Sequence, residues 1–102
     1  MLTKDEARVI AQRFVSKATD EGIIEYIIVD SETIEKAYAW VFSYDSKLFL
    51  ETEDFRYAIA GNGPLVVDKF SGHLFVLGSA GGRDNQLAEF EHNRGRYSPT
   101  EV

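Results

Sequence analysis

Cysteine is absent from this 102-residue chain. That excludes a disulfide framework, a thiolate nucleophile and any Cys-ligated metal site. The protein must hold together by packing alone, which suits a reducing cytoplasm. Histidine is scarce too, with only His73 and His92. His73 sits early in a strand pattern and reads as a packing or edge residue. His92 stands near Glu89 and Glu91, but two ligands do not make a structural metal site. No Gly-x-Ser-x-Gly, His-Glu-x-x-His or EF-hand loop occurs. No Lys/Arg run occurs either. With 17 acidic against 11 basic residues the formal charge is -6. Nucleic acid, which needs a concentrated basic patch, is a poor partner, and so is an anionic membrane. No stretch approaches the roughly 18 apolar residues of a spanning helix. The N-terminus, MLTKDEARVIAQRF, lacks the apolar run of a signal peptide. The expectation is one cytoplasmic domain over residues 1–102, without cofactor or metal and without enzymatic activity.

What is present falls into blocks. Thr3-Lys4-Asp5-Glu6 has the form of a capping box, with acids where the helix dipole favours them. Ala7, Ile10, Ala11, Phe14, Val15 and Ala18 then span an arc of roughly 140° at helical spacing. This predicts one amphipathic helix laid on a sheet, ending near Thr19-Asp20 with Gly22 as its stop. Residues 23–29, IIEYIIV, read as a strand. Apolar side chains on both of its faces fit either a covered strand or an exposed contact strip. Residues 30–36, DSETIEK, read as a long hairpin connection, although propensity permits a helical turn.

The organising stretch is residues 37–78. Tyr38, Trp40, Phe42 and Tyr44 alternate with Ala39, Val41 and Ser43, which predicts a strand over 38–44. Trp40 and Phe42 should face the core, with Ile10 and Phe14 packed against that face. Residues 47–51 suggest a short strand, and 52–60 a helical turn or irregular chain. A connection of that length is often functional. Gly61-Asn62-Gly63-Pro64 reads as a turn in which at least one glycine takes φ > 0 and Asn62 bonds back to its own main chain. As a phosphate loop it fails, because it lacks the following Lys-Ser/Thr and precedes a strand. Residues 65–69 and 73–77 form a hairpin about Ser71-Gly72. Residues 78–82 release the chain, 84–93 form a short helix with Leu87 and Phe90 inward, and 94–102 fray.

Taken together, these elements predict an α+β fold. An N-terminal amphipathic helix packs on an antiparallel sheet of about four strands, followed by a short C-terminal helix. Chemistry is thin. Glu51, Glu53 and Asp54 could be paired carboxylates, but no apolar pocket is legible around them, and surface charge is the better reading. Asp20, Glu21, Glu25, Asp30, Glu32 and Glu35 fall in one window without Lys or Arg. That window is either a solvated face or a negative patch that steers a basic protein.

Several stretches together resemble the immunity protein 35 family: Leu2-Thr3-Lys4-Asp5-Glu6-Ala7, Ala39-Trp40-Val41-Phe42-Ser43-Tyr44, Leu50-Glu51-Thr52, and Ala60-Gly61-Asn62-Gly63-Pro64-Leu65-Val66-Val67-Asp68, with Gly72 and Gly78. The resemblance runs over residues 2–80. It implies a small bacterial protein, encoded beside a polymorphic toxin, that protects its producer by binding and capping that toxin. It carries over no catalytic residue. Trp40, Gly61, Gly63, Pro64 and Asp68 match motif positions and read as scaffold. The implied partner is a cognate protein toxin with a basic surface, and a homodimer stays open. The expected contact residues are Asp30, Glu32 and Glu35 with Glu51, Glu53 and Asp54, joined by the aromatics Tyr38, Tyr44 and Tyr57. A housekeeping or chaperone-like binding module is the alternative reading, and a small hydrolase the remote one.

Overall fold

The capping box closes as written. In the computed structural model, which describes residues 1–18, 25–59 and 62–101, Thr3 N–H donates to Glu6 Oε1 at 2.9 Å and Glu6 N–H to Thr3 Oγ1 at 3.2 Å. Helix α1 (Lys4–Ala18) starts there. Its stop at Gly22 and the first residues of the next strand pattern lie outside the described residues. Ala7, Ala11 and Val15 are fully buried, and two of these three are alanine, so the helix axis comes close to the sheet. Leu2, Ile10 and Phe14 flank them on the same core.

The main sheet is antiparallel throughout. It has the order β2 (Ile34–Glu35), β3 (Ala39–Phe42), β5 (Leu65–Asp68), β6 (Leu74–Val76). Trp40 pairs with Val67 and Phe42 with Leu65. These four side chains, with Leu74, face α1. Ala39, Val41 and Val66 point the other way and meet Leu87 and Phe90 of helix α3 (Arg83–His92). The sheet is therefore covered on both faces, and the alternation along β3 separates two cores. Trp40 and Phe14 pack on the α1 core but stay only half-buried. Among the described residues, Phe42 and Phe90 are the largest of the fully enclosed side chains.

The expected strand over 38–44 is broken. At Ser43 the chain changes ladders. The Ser43 carbonyl accepts Val29 N–H at 2.8 Å, and β4 (Tyr44–Ser46) pairs with β1 (Tyr26–Ile28) in a separate two-stranded sheet. Residues 30–36 are not a plain connection. Asp30–Glu32 forms a 3-10 turn, and Ile34–Glu35 joins the sheet edge as β2. Residues 47–51 are not a strand. Ser46 Oγ accepts Phe49 N–H at 2.9 Å and starts helix α2 (Lys47–Thr52). A short apolar run such as Leu48-Phe49-Leu50 fits a helix as well as a strand, and the capping serine decides between them.

The glycine turn is described only from Asn62 onward. Gly61 lies outside the described residues, and Gly63 does not have a positive φ. Among the described glycines only Gly72, Gly81 and Gly82 do. Gly63 is required for space instead. A Cβ there would lie 2.1 Å from the Leu77 carbonyl oxygen and 2.2 Å from that of Gly78. Asn62 bonds not to its own turn but to β4, donating from Nδ2 to the Tyr44 carbonyl at 2.6 Å. Within residues 94–101, expected to fray, two residues pack back on the fold. Tyr97 stands edge-on to Phe90 at 4.9 Å, and Thr100 N–H donates to the Leu74 carbonyl at 2.7 Å, closing part of the β6 edge.

Asp68 ties the β5–β6 turn. Its Oδ1 accepts the N–H groups of Phe70 and Ser71, each at 2.8 Å, and Arg94 stands 3.4 Å from Oδ2. Burial works to raise its pKa, but those N–H groups and Arg94 outweigh burial and hold it below its ordinary 3.8. A depressed carboxyl stabilises the fold above its unfolded pKa and loses that contribution as pH falls through the folded value. Asp30, depressed by Arg8, acts in the same sense. Between about pH 5 and about pH 3, the urea midpoint should fall less steeply for Asp68→Asn than for the wild type. Equal slopes would remove this role for Asp68.

Candidate functional site

The predicted contact residues divide into three groups. Glu35 and Tyr38 belong to the β2 edge. Glu35 Oε2 accepts Lys69 Nζ at 2.7 Å, and that lysine is only 4% exposed, lying 4.9 Å from the Trp40 ring centre. Tyr38 OH donates to Glu91 Oε2 at 3.0 Å, with the Arg94 guanidinium 4.4 Å above its ring. Burial, then the Glu91 bond, pushes the Tyr38 pKa up to about 12. These two side chains dock the edge strand and α3. They are already engaged within the fold.

The second group borders a cleft of about 630 Å³. Its lining includes Glu32 and Tyr44, Asn62 and Pro64, and the start of α3 at Arg83 and Asp84. Tyr44 lies 6.2 Å from the Tyr26 ring, and burial first, then Tyr26, raises its hydroxyl pKa. Asp30, in the same 3-10 turn as Glu32, is neutralised. Its two oxygens take the Arg8 Nε and Nη2 donors at 2.6 and 3.1 Å, and this pairing holds its pKa low.

The third group forms a spur over residues 47–57. Helix α2 leads into a 3-10 turn, Phe55–Tyr57, that Asp54 caps by accepting Arg56 N–H at 2.9 Å. Asp54 also grips the Arg56 side chain, with the closest contact at 2.6 Å. The carboxylates of Glu51 and Glu53 are exposed and enter no ion pair among the described residues. Phe55 is 84% exposed, touching the chain through Phe49 at 5.7 Å between ring centres. Leu48 and Leu50 are exposed beside it. Phe49 and Leu50 also line the cleft, so spur and cleft form one continuous surface.

The sequence reading missed Phe55, Phe49, Leu48 and Leu50. Their signal was present as an apolar run and a lone Phe set among acids, in a segment with no strand partner. Among the described residues no group of three or more His, Asp or Glu could hold a metal ion. No helix among them is long and apolar enough to cross a membrane. The surface offers what protein contact requires: aromatic area, a charged rim and a concavity.

Comparison with known proteins adds two findings. The family model for Immunity protein 35 matches residues 5–92. A protein of Escherichia coli (strain K12), "Uncharacterized protein YrhB", is 34% identical over 58 residues. That match covers 57% of this chain and 62% of the E. coli protein, so the chain spans less than two thirds of that relative. No solved structure matches.

Proposed function

Because this chain belongs to the immunity protein 35 family, we propose that it neutralises a cognate protein toxin by binding and capping it in the producer's cytoplasm. Family membership is the observation that carries this reading. The acidic surplus of the chain supports a partner with a basic surface, since complementary charge raises encounter rates. Glu32, Glu51, Glu53 and Tyr44 stand at or beside the cleft and the spur, where a partner can reach them. Glu35 and Tyr38 serve the fold and drop out of the proposed contact set. Asp30 contributes less than its charge suggests, because Arg8 offsets it. Inhibition is by occupancy, with no chemical step assigned to this chain.

A second reading draws on the exposed Phe55, Leu48 and Leu50. Such side chains would also suit a chaperone-like module that holds varied unfolded clients. Co-expression separates the two. The chain should restore growth of a sensitive host that makes the toxin encoded beside it, and should co-purify with that toxin. Full toxicity with no complex, together with suppressed aggregation of an unrelated denatured client, would replace immunity by the chaperone-like role.

A further inference from the structure

We infer that the spur over residues 47–57 is the element that docks into the toxin, with Phe55 as its anchor seated in an apolar pocket ringed by basic side chains. The inference rests on the toxin-binding reading and names the surface and the partner's chemistry.

Three observations converge on the spur. The first is exposure without a structural task. Phe55 leaves most of its ring in solvent and is held in place by Phe49. A buried aromatic anchor surrounded by a polar rim is the usual centre of a protein contact. The second is charge. Lys47 is engaged by Glu25 at 3.6 Å and Arg56 by Asp54, which leaves Glu51 and Glu53 as carboxylates of the same segment that enter no ion pair among the described residues. That pattern selects a basic rim on the partner and disfavours an anionic membrane.

The third is backbone strain at Glu53. It caps α2 with φ 58 and ψ 22, and it is the one non-glycine positive φ among the described residues. Glycine is the residue that this position favours. A glutamate held there keeps a carboxylate two residues before Phe55 in the chain, at a cost in stability. Strain of this kind at a surface turn points to a use for the side chain. A stable contact needs more than about 1,000 Å² in all. The cleft wall continuing from Phe49 and Leu50 supplies the adjoining area.

The test uses the full chain and the purified toxin encoded beside it. Binding kinetics and melting temperature are read for the wild type, Phe55→Ala, Glu53→Gly and Phe70→Ala. Phe70 is 72% exposed on the β5–β6 turn and serves as the control. Phe55→Ala should weaken binding by at least about tenfold, as expected for a hot-spot residue, with the melting temperature unchanged. Glu53→Gly should melt roughly 5 °C higher yet associate more slowly, most of all at low salt. Phe70→Ala should match the wild type in both. Wild-type affinity in Phe55→Ala overturns the inference while leaving toxin binding intact. So does a wild-type dimer that Phe55→Ala dissolves, which would assign this face to a second copy. No binding by the wild type fails the toxin reading itself, and the inference with it.

Discussion

Gly63→Ala should unfold a large part of the population. The new methyl group would stand 2.1 and 2.2 Å from two carbonyl oxygens, those of Leu77 and Gly78. Neither can rotate away as a side chain can. Here the chain leading into β5 runs beside the chain leaving β6, with Leu77 N–H donating to the Pro64 carbonyl at 3.0 Å. To admit the methyl group the two segments must separate. That breaks this bond and loosens Pro64 and Leu77, both buried. Overpacking a core usually costs about 1–3 kcal/mol, because side chains give way. With backbone on the opposing side the cost should reach about 4 kcal/mol, in the tail for single substitutions. A melting temperature lower by roughly 15 °C or more is expected. Gly78→Ala supplies the contrast. The nearest atoms to its Cβ would be those of the Gln86 side chain, from 3.3 Å, and that chain can move. Equal melting of the two variants would refute the close-approach account of Gly63.

Phe90→Ala should cost about 3–5 kcal/mol, the range for large enclosed aromatics. Phe90 is 1% exposed and sits at the centre of an aromatic group, with Tyr97 at 4.9 Å, Phe75 at 5.1 Å and Tyr38 at 6.4 Å between ring centres. Helix α3 has only Leu87 and Phe90 buried, so this ring accounts for much of its attachment. Its loss should release α3 before the α1 face opens. The Tyr38–Glu91 and Arg94–Asp68 contacts would go with it, and so would the cleft wall at Arg83 and Asp84. Hydrogen exchange should show α3 amides losing protection while those of β3 and β5 keep theirs. A cost below about 1 kcal/mol would mean that α3 is held by something other than this ring.

Sequence periodicity made most of the scaffold legible. The α1 stripe, the Trp40/Phe42 face, the β5–β6 hairpin and the inward Leu87 and Phe90 could be read because burial imposes a period on each. The break at Ser43 could not be read. The alternation from Tyr38 to Tyr44 runs unbroken through the point where the chain changes ladder partners. Partner choice is a long-range property that local pattern does not encode. Helix α2 was misread because three adjacent apolar residues carry no period. At Gly63 the pattern marked a glycine without showing which property of glycine the position needs. Glycine answers equally to a positive φ and to close approach, and only the neighbouring strand end shows which applies.

The contact surface was legible only in part, for a related reason. Acids can be listed from a sequence, but their partners cannot. Asp30 and Glu35 look as free in the sequence as Glu51 and Glu53. Arg8 engages the first and Lys69 the second, from 22 and 34 residues away in the chain. The aromatics show the same limit. Tyr38 was a plausible contact residue until its bond to Glu91 placed it inside the α3 interface. Phe55 stands as a lone aromatic among acids, but outside any periodic segment no pattern fixes which way it faces.

Capping makes a quantitative demand that growth rescue does not. The product of the adjacent toxin gene should be purified, its activity assayed, and this protein titrated into the reaction. Capping predicts that activity falls in a straight line and reaches its floor at one equivalent of this protein, as tight one-to-one occupancy requires. The Phe55→Ala titration should bend away from that line and need excess protein. Undiminished toxin activity in a severalfold excess of the folded wild-type protein would contradict toxin capping.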